Sequence, residues 1–451
     1  MNANGLLQEI ADYCRRVRMA ETTFGRRAVN DGKFTSRLRY GGKVTLDTVQ
    51  RVQDFIAAHP PPGDAPARAA PPRDPSGNFR FFDNRQKYLM FVNTCSEKWV
   101  IAERVALELA NLHPRPPSVR LFDAGVGDGT VLARVMRAMH SRFRWMPFTV
   151  VAKEISLEDV RLTLEKMPDR FYEHPATVLV MTNLNYAEAP WLTPGSITAA
   201  TGMVWHELAL QGDSAADFDA QITALAPFLG QNWRASVSRK SGNPVYEKPV
   251  VLVIYREDQR FLLHEILPRR GAGRADYDLV IASQPWRARA SVEFKARRVL
   301  APLARALAPG GRLIGIHSSG GDPGMEIVQQ VWPGENPFTS DRHMLLKATK
   351  AELGARARQF NLNAYADSRS LFRYEMHTLP NEIDLAGGSI GTSTLFAAWN
   401  AATYVAQIED ERLAEAMGGT RYLEATRGVL REHKGLWFRD ESFVISRKRD
   451  A

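Results

Sequence analysis

The chain has 451 residues, of which 44% are hydrophobic and 24% are charged, and its formal net charge is +9. This length exceeds one typical domain, and the composition is that of an ordinary globular protein. Its two cysteines, far apart in sequence, exclude a disulfide scaffold or a cysteine zinc site and suit a reducing compartment. No apolar run is long enough to cross a membrane and no secretory segment is visible, so we expect a cytoplasmic protein with no membrane partner.

The first part of the chain, residues 1–59, predicts a small all-α domain of short amphipathic helices. Residues 60–77 are so rich in proline that they predict an extended linker. The stretch from Met19 to Ile56 resembles the phage-repressor-like group of helix-turn-helix domains, in which the third helix enters the major groove of DNA. That resemblance implies DNA contact through Thr35, Ser36, Arg37 and Arg39. The alternative is a helical bundle used for dimerisation or docking, and the net charge fits DNA binding and a solvated basic surface equally well.

The second part of the chain, residues 78–451, alternates predicted strands with predicted helices. This alternation favours an α/β domain with a doubly wound, mainly parallel, seven-stranded sheet that has helices on both faces. The predicted strands are residues 119–125, 148–154, 177–183, 278–283, 311–319, 371–379 and 442–448.

Two long insertions interrupt this pattern, at about residues 185–276 and 381–434. A minimal crossover between parallel strands needs only about a dozen residues. Within the first insertion, residues 250–267 predict a β-hairpin with its turn at residues 257–259. Insertions at strand ends commonly build substrate pockets, so we expect these two segments to roof the site.

The most informative motif is a loop that follows the first predicted strand, with the sequence Asp123-Ala-Gly125-Val-Gly127-Asp128-Gly129. Alternating glycines let the backbone turn sharply and approach a ligand closely. The first strand–helix turn of a doubly wound sheet is also where such folds bind nucleotides. Two carboxylates in this loop disfavour a pyrophosphate and suit a cofactor that carries an ammonium group and a sugar hydroxyl. A nicotinamide cofactor is therefore the lesser interpretation.

The loop resembles the motif of class I, Rossmann-like, S-adenosylmethionine-dependent methyltransferases, over roughly residues 79–320 and the terminal strands. The resemblance implies S-adenosyl-L-methionine as the cofactor, held by the five loop residues named above. It also implies that Glu154, at the end of strand 2, accepts hydrogen bonds from the ribose hydroxyls. Asn183, at the end of strand 3, is then expected to meet the adenine. Residues 309–311 match the turn before strand 5, and the last strand fits the reversed final strand of that family.

The candidate methyl-transfer site lies where strand 4 ends, in the sequence Ser283-Gln284-Pro285-Trp286. Amino-group methyltransferases of this fold carry a polar residue, two prolines and an aromatic residue at this point. The resemblance implies that Ser283 and Trp286 contact the substrate, and His317, after strand 5, is a candidate base. Gln284 departs from the pattern and weakens the case for a nucleic-acid base as substrate. The sulfonium methyl group is already activated, so transfer is an in-line displacement that needs no metal.

Two further pairs of residues lie outside these motifs. His206 and Glu207 have no third ligand at a useful spacing, so we expect no metal site. Tyr88 and Asn93, ahead of the first strand, are candidates for a lid over the cofactor.

The sequence therefore predicts an enzyme that transfers a methyl group to a nitrogen or oxygen nucleophile of a small molecule. One alternative is a nucleic-acid methyltransferase tethered by residues 1–59. Another is a DNA-binding regulator that senses S-adenosylmethionine. The methyl acceptor and the oligomeric state are not indicated by any motif.

Overall fold

The structure is a computed structural model that describes residues 3–17, 19–40, 44–59, 85–238, 243–377 and 390–449. The chain divides into two compact units, Met1–Gly77 and Asn78–Ala451. The predicted linker, residues 60–77, lies outside the described residues, as does the start of the second predicted insertion, residues 381–389.

The first unit contains helices α1 (Ala3–Arg16), α2 (Glu21–Val29), α3 (Phe34–Arg39) and α4 (Leu46–Ala58). The rings of Tyr13 and Phe55 pack edge-on against Phe24, with centroids 5.5 and 5.4 Å from it. The hydroxyl of Thr45 accepts a hydrogen bond from the backbone N–H of Thr48 and caps α4. A Cβ at Gly25 would collide with the Asp31 carbonyl, so only glycine lets α2 and α3 turn this closely.

The second unit is built on one large sheet and one small hairpin. Its strands are β1 (Val119–Asp123), β2 (Phe148–Lys153), β3 (Thr177–Thr182), β4 (Val204–Leu210), β5 (Ala235–Val237), β6 (Pro244–Tyr246), β7 (Val250–Arg256), β8 (Tyr277–Ser283), β9 (Leu307–Ser318), β10 (Phe360–Asn363), β11 (Leu371–Glu375) and β12 (Trp437–Arg447).

Helices cover both faces of this sheet. They are α5 (Arg85–Thr94), α6 (Glu97–Leu109), α7 (Thr130–Arg142), α8 (Leu157–Leu164), α9 (Pro168–Glu173), α10 (Ile197–Thr201), α11 (Ala215–Thr223), α12 (Ala226–Asn232), α13 (Arg260–Leu263), α14 (Val292–Lys295), α15 (Ala301–Arg305), α16 (Pro323–Val331), α17 (Arg342–Leu353), α18 (Asp367–Ser370), α19 (Thr392–Val405), α20 (Asp410–Met417) and α21 (Arg421–His433). No helix in the described ranges combines the length and the apolar character that crossing a membrane would require.

The large sheet is ten-stranded, in the order β10-β12-β9-β8-β1-β2-β3-β7-β4, with β11 also paired to β12. Strands β3, β2, β1, β8 and β9 run parallel to their neighbours in this series. Strand β12 runs antiparallel to β9, which confirms the reversed last strand. A mainly parallel sheet in a mixed α/β unit is therefore confirmed.

The predicted count of seven strands is wrong by three. The predicted sixth strand, residues 371–379, corresponds to β11, which ends at Glu375. Strand β10 was not predicted, and β10 and β11 pair with successive stretches of β12. Strands β7 and β4 come from the first insertion and extend the sheet beyond β3.

The predicted hairpin over residues 250–267 is also wrong. Its first half is β7, which pairs antiparallel with β3 and parallel with β4 and is buried throughout. Its second half is a helical turn followed by α13 and a loop, with Leu263 and Ile266 buried at helical spacing. The backbone N–H and C=O groups of a fully buried strand need hydrogen-bond partners on both sides. Strand β7 pairs with β3 and β4, and it does not pair with the segment that follows it in sequence.

The interior of the second unit lies on the two faces of the sheet. One face packs residues such as Leu121, Val150 and Leu179 against α6, α7, α8, α9, α11 and α12. The other face packs Phe122, Val151 and Val180 against α13, α15 and α17. Each such fully buried side chain contributes roughly 1.5–3 kcal/mol of transfer free energy. A third apolar cluster joins α5, α16, α19 and α21 to β11 and β12.

Candidate functional site

The glycine loop lies at the carboxyl ends of the parallel strands. The backbone N–H of Ala124 donates to the carbonyl of Ile281 in β8 at 2.9 Å, and that of Val126 donates to Lys153 in β2 at 3.2 Å. The loop thus leaves β1 between its two neighbours. The strand order changes direction at β1. Strands β2 and β3 lie on one side of β1, whereas β8 and β9 lie on its other side. Ligands of open α/β sheets bind at such a switch point.

Different structural constraints apply at the three glycines of this loop. Gly127 and Gly129 have positive φ values of 57° and 80°, which favour glycine. A Cβ at Gly129 would also lie 2.7 Å from the Cα of Thr163, so this residue lets α7 approach α8. A Cβ at Gly125 would meet no heavy atom within 4 Å. The backbone at Gly125 therefore borders open space that a ligand can fill.

Asp123 carries the buried carboxyl group of the site. It is 2% exposed, and its Oδ1 accepts a hydrogen bond from the N–H of Gly125 at 3.2 Å. Burial raises the pKa of Asp123 to about 7, with a further increase from Glu154, while the Gly125 N–H and Lys98 act to lower it. A cation placed beside Asp123 would return this carboxyl to its ionised form.

Asp128 is the second acid of the loop. Burial acts to raise its pKa, but Lys98 and the hydroxyl of Thr130 outweigh that effect, so the pKa of Asp128 is lowered. Lys166 lies 3.6 Å from its Oδ2 and donates to its backbone carbonyl at 2.7 Å. The Asp128 carboxylate is thus ionised and tied to the protein.

Glu154 follows β2 directly and bends toward the loop. Its Oε2 accepts from the N–H of Gly127 at 3.0 Å, and its Oε1 accepts from Ile155 at 2.7 Å and Ser156 at 3.0 Å. The indole N–H of Trp233 donates to the Glu154 carbonyl at 3.1 Å and fixes its backbone. A carboxylate can accept about four hydrogen bonds, so this one has capacity for a hydroxyl donor.

Tyr88 closes the loop from the side of α5. Its hydroxyl accepts from the Asp128 N–H at 3.2 Å and lies 3.4 Å from Asp128 Oδ1. Its ring packs against that of Tyr404 in α19, with centroids 6.0 Å apart. Asn93, the other lid candidate, is exposed on the same helix.

Asn183 does not occupy the place expected of an adenine contact. It is 1% exposed, its Oδ1 accepts from the N–H of Val250 at 2.8 Å, and its amide donates to the carbonyl of Lys248 at 2.8 Å. These bonds hold the start of β7 against the end of β3. The expectation for Asn183 is corrected because the inserted strand occupies its side chain.

The end of β8 brings together residues that lie far apart in sequence. Ser283 is half-buried, and Gln284 has a left-handed φ of 46°, which is unusual for a residue with a side chain. The Gln284 amide donates to Ser318 Oγ at 3.0 Å and lies 3.4 Å from both carboxylate oxygens of Asp440. The residue that breaks the family pattern therefore anchors the strand end. Asp440 was not among the residues predicted for the site, and its pKa is raised well above its ordinary value by burial and by Glu97.

Trp286 and His317 form the wall of one small cavity of about 10 Å³, together with Gln284 and Lys295. Their ring centroids are 6.0 Å apart, and Nε2 of His317 lies 3.2 Å from Glu441 Oε2. Trp286 is 7% exposed and His317 is 4% exposed. The structure thus unites Trp286 and His317 beside Gln284, in a space that holds about one water molecule.

The peptide carbonyl of Pro285 is occupied. It accepts a hydrogen bond from the hydroxyl of Tyr186 at 2.7 Å. A backbone carbonyl that already accepts this bond has less capacity to accept one from a target amino group. Its engagement, together with the burial of Trp286, leaves no open stacking platform for a flat base.

The DNA-contact residues expected in the first unit do not all face solvent. Thr35 is 3% exposed and packs in the core of the unit, so the expectation for Thr35 is corrected. Ser36, Arg37 and Arg39 are exposed on α3. Arg37 pairs with Asp31, and Arg39 forms an ion pair with Glu21 at 2.8 Å.

Comparisons with known proteins add little to this geometry. No protein-family model matches the chain, and no curated protein matches it. Among solved structures, a geranyl diphosphate methyltransferase in complex with geranyl diphosphate and sinefungin aligns at 12% identity and a TM-score of 0.28, over 77% of this chain and 76% of that one. A putative sarcosine dimethylglycine methyltransferase from Galdieria sulphuraria aligns at 10% identity and a TM-score of 0.27, over 78% and 86%. TM-scores this low establish no relationship, so the site has to be judged from its own residues.

Proposed function

We propose that the chain is an S-adenosylmethionine-dependent methyltransferase that acts on a nitrogen or oxygen nucleophile of a small molecule. One observation carries the proposal. The open backbone edge at Gly125 is flanked by two acids, the buried Asp123 and the half-buried Glu154, at the switch point of a parallel sheet. This is a cradle for a ligand that carries both a cation and hydroxyl groups.

The residues present fit the cofactor. The carboxyl group of Asp123 would receive its ammonium group, and ionisation of that carboxyl would then be favoured. Glu154 would accept the ribose hydroxyls, and the bare backbone at Gly125 and Gly127 would lie along the nucleoside. Asp128 and Gly129 hold the turn itself, through Tyr88 and the close approach to α8.

When bound, S-adenosylmethionine supplies a methyl group that the sulfonium has already activated. The chain then has to orient the nucleophile and exclude water. Ser283 and Gln284 lie at the end of β8, beside the loop, and can orient the acceptor. Trp286 and His317 would line the far side of that site, and Tyr88 would keep water from the cofactor.

A small acceptor is favoured over a nucleic acid because the polar groups at this end of the sheet are enclosed. Ser318 is 9% exposed and Asp440 is fully buried, and both contact Gln284. Trp286 packs beside Lys295 and His317 and offers no free ring face. An extruded base would need a free aromatic face for stacking, which Trp286 does not offer, so a smaller polar acceptor beside Ser283 is favoured.

Calorimetric titration with S-adenosylmethionine and with its demethylated product tests the cofactor assignment. We expect both to bind the wild-type chain and neither to bind Gly125→Arg, whose side chain would fill the open edge without backbone strain. The matched control is Gly428→Arg on α21, where an added side chain also meets no atom within 4 Å. Equal heats for the two arginine variants would contradict the proposal.

Incubation of the full chain with methyl-labelled cofactor and fractionated cell extract tests the acceptor class. We expect the label to enter the small-metabolite fraction. Label in the nucleic-acid fraction would instead support a methyltransferase that the first unit tethers to its substrate.

DNA binding by the first unit is the second candidate function, and the exposure of Ser36, Arg37 and Arg39 on α3 favours it. It would serve either a nucleic-acid methyltransferase or a regulator that senses the cofactor. A gel-shift series over salt concentration is the test, because phosphate contacts weaken steeply as salt rises. A flat salt response, or no shifted band, would remove this candidate.

A further inference from the structure

A second cavity lies near the amino ends of the parallel strands, whereas the glycine loop lies at their carboxyl ends. Its volume is about 380 Å³, and its lining includes Arg120 near the start of β1, Thr149 near the start of β2 and Tyr277 at the start of β8. Protein interiors leave few voids larger than one water molecule, and small-molecule sites range from about 300 to 1,000 Å³. The cavity is therefore large enough to bind a small molecule.

The walls of this cavity are fixed by specific contacts. The hydroxyl of Tyr277 donates to the carbonyl of Pro190 at 2.8 Å, and Arg120 donates to the carbonyl of Arg274 at 3.0 Å. A Cβ at Gly273 would collide with the carbonyl of Trp191, so only glycine lets the two loops meet there. These contacts hold both loops over the sheet and keep the space open.

The floor and the mouth of the cavity differ in chemistry. Buried apolar side chains form the floor, and they are Val151, Val180, Leu192 and Ile266. Three arginines, Arg120, Arg269 and Arg274, line the cavity with a single acid, Glu265. Such a surface suits a ligand that is apolar at one end and negatively charged at the other.

Arg269 and Arg274 have guanidinium groups whose positive charge is not neutralised by a close carboxylate among the described residues. The side chain of Arg269 lies 3.3 Å from the ring Nε2 of His264 and forms no ion pair with a carboxylate in the described part of the chain. Arg274 lies 4.0 Å from Asp276, whose carboxylate is already engaged by Arg120 at 2.7 Å, and its side chain is 81% exposed. Planar guanidinium groups bind carboxylate or phosphate oxygens in preference to neutral groups.

We propose that this cavity binds an amphiphilic organic anion, with its apolar body on the floor and its carboxylate or phosphate group at Arg269 and Arg274. The proposal stands apart from methyl transfer, because the cavity and the glycine loop lie at opposite ends of the parallel strands. It adds a second ligand to the protein.

Calorimetry on the full chain with octanoate, octyl phosphate, octanol and inorganic phosphate tests the proposal. We expect both octyl anions to bind at one site, at least about ten-fold more tightly than octanol or inorganic phosphate, because each of those lacks one half of the ligand. The tighter of the two anions identifies the head group. Octanol binding as tightly as the anions would overturn the proposal, as would the absence of binding by either anion.

Variants then locate the site. The double change Arg269→Gln and Arg274→Gln is expected to weaken anion binding by about ten-fold or more. Arg356→Gln, an exposed arginine elsewhere on this unit, is the matched control and leaves the affinity unchanged. Ala272→Trp, at an exposed position of the cavity wall, fills the mouth without disturbing the core and is expected to abolish binding. Unchanged affinity in both test variants would overturn the assignment.

Discussion

Replacement of Asp123 by asparagine should raise the free energy of unfolding at alkaline pH and weaken the affinity for the cofactor. Asparagine has nearly the same shape and can still accept the hydrogen bond from the N–H of Gly125. It lacks the carboxyl group whose pKa burial raises from the ordinary value of 3.8 to about 7. Asp123 is therefore expected to favour cofactor binding while it lowers the stability of the fold at neutral and alkaline pH.

The magnitude follows from linkage. Because the folded protein holds the Asp123 proton more tightly than the unfolded chain, this group's contribution to stability is complete below pH 3.8 and is lost as the pH rises to about 7. The whole loss is about 4 kcal/mol at 1.36 kcal/mol per pKa unit. Between pH 5 and pH 8 the wild type should lose about 3 kcal/mol that Asp123→Asn keeps.

Urea denaturation followed by tryptophan fluorescence measures this difference. All nine tryptophans lie between residues 99 and 437, so the signal reports the second unit alone. The free energy of unfolding should be similar in the two proteins at pH 5 and higher in Asp123→Asn at pH 8. Calorimetry should show cofactor binding weakened by about ten- to a hundred-fold, the usual value of a charge-assisted hydrogen bond.

Asp278→Asn is the matched control. Asp278 is another partly buried acid whose pKa burial raises, to about 6, and it accepts the N–H of Arg120 at the far end of the sheet. Its replacement should stabilise the protein at alkaline pH to a smaller degree and leave cofactor affinity unchanged. A stability difference between Asp123→Asn and the wild type that does not vary with pH would refute the reasoning about Asp123.

Three further outcomes follow from the same contacts. Cofactor affinity should fall about ten-fold for each pH unit below 7, because protonation of Asp123 removes the partner of the ammonium group, and calorimetry across pH 5.5–8 measures this. Gln284→Ala should lower kcat for methyl transfer at least about ten-fold with cofactor Kd unchanged, since it removes the contacts to Ser318 and the buried Asp440; a changed Kd would count against this placement. Asn183→Ala should cost about 1–3 kcal/mol of stability through its two lost backbone contacts without a selective loss of cofactor affinity, and a normal unfolding curve with abolished binding would restore the adenine role.

The parallel strands were predictable because their signals are local. Each is a short apolar run bounded by turn residues, and five of the predicted strands overlap β1, β2, β3, β8 and β9 closely. The inserted strands were not predictable in the same way. The run that forms β7 is apolar throughout, and its sequence does not say whether its partner is the next segment or β4, some forty residues earlier. Sheet pairing at that distance is decided by tertiary packing.

The residues of the candidate site also fall into two groups, those marked by a local sequence pattern and those brought together by long-range contacts. The glycine loop and Glu154 were found because a strand, a turn and a helix lie next to each other in sequence. The contact between Gln284 and Asp440 spans 156 positions, and no local pattern marks it. In the sequence, Gln284 is visible only as a residue that replaces an expected proline. Its left-handed backbone and its contacts to Ser318 and Asp440 make it part of the candidate site.

The charges around the loop decide which nucleotide it can accept. Asp128, Glu154 and Glu97 are acids at or beside the loop, and Asp123 becomes a fourth when its proton leaves. The bases that face them are Lys98, Lys153 and Lys166. Four acids against three bases leave one negative charge, which a ligand cation would balance. Burial acts to lower the pKa of Lys98, yet Glu97 and Asp128 outweigh it and raise that pKa, so this lysine is already committed to its acids. A pyrophosphate would bring two more negative charges to a loop whose lysines, within the described residues, already face acids. A sulfonium nucleoside with its ammonium group would instead bring the positive charge that balances the loop.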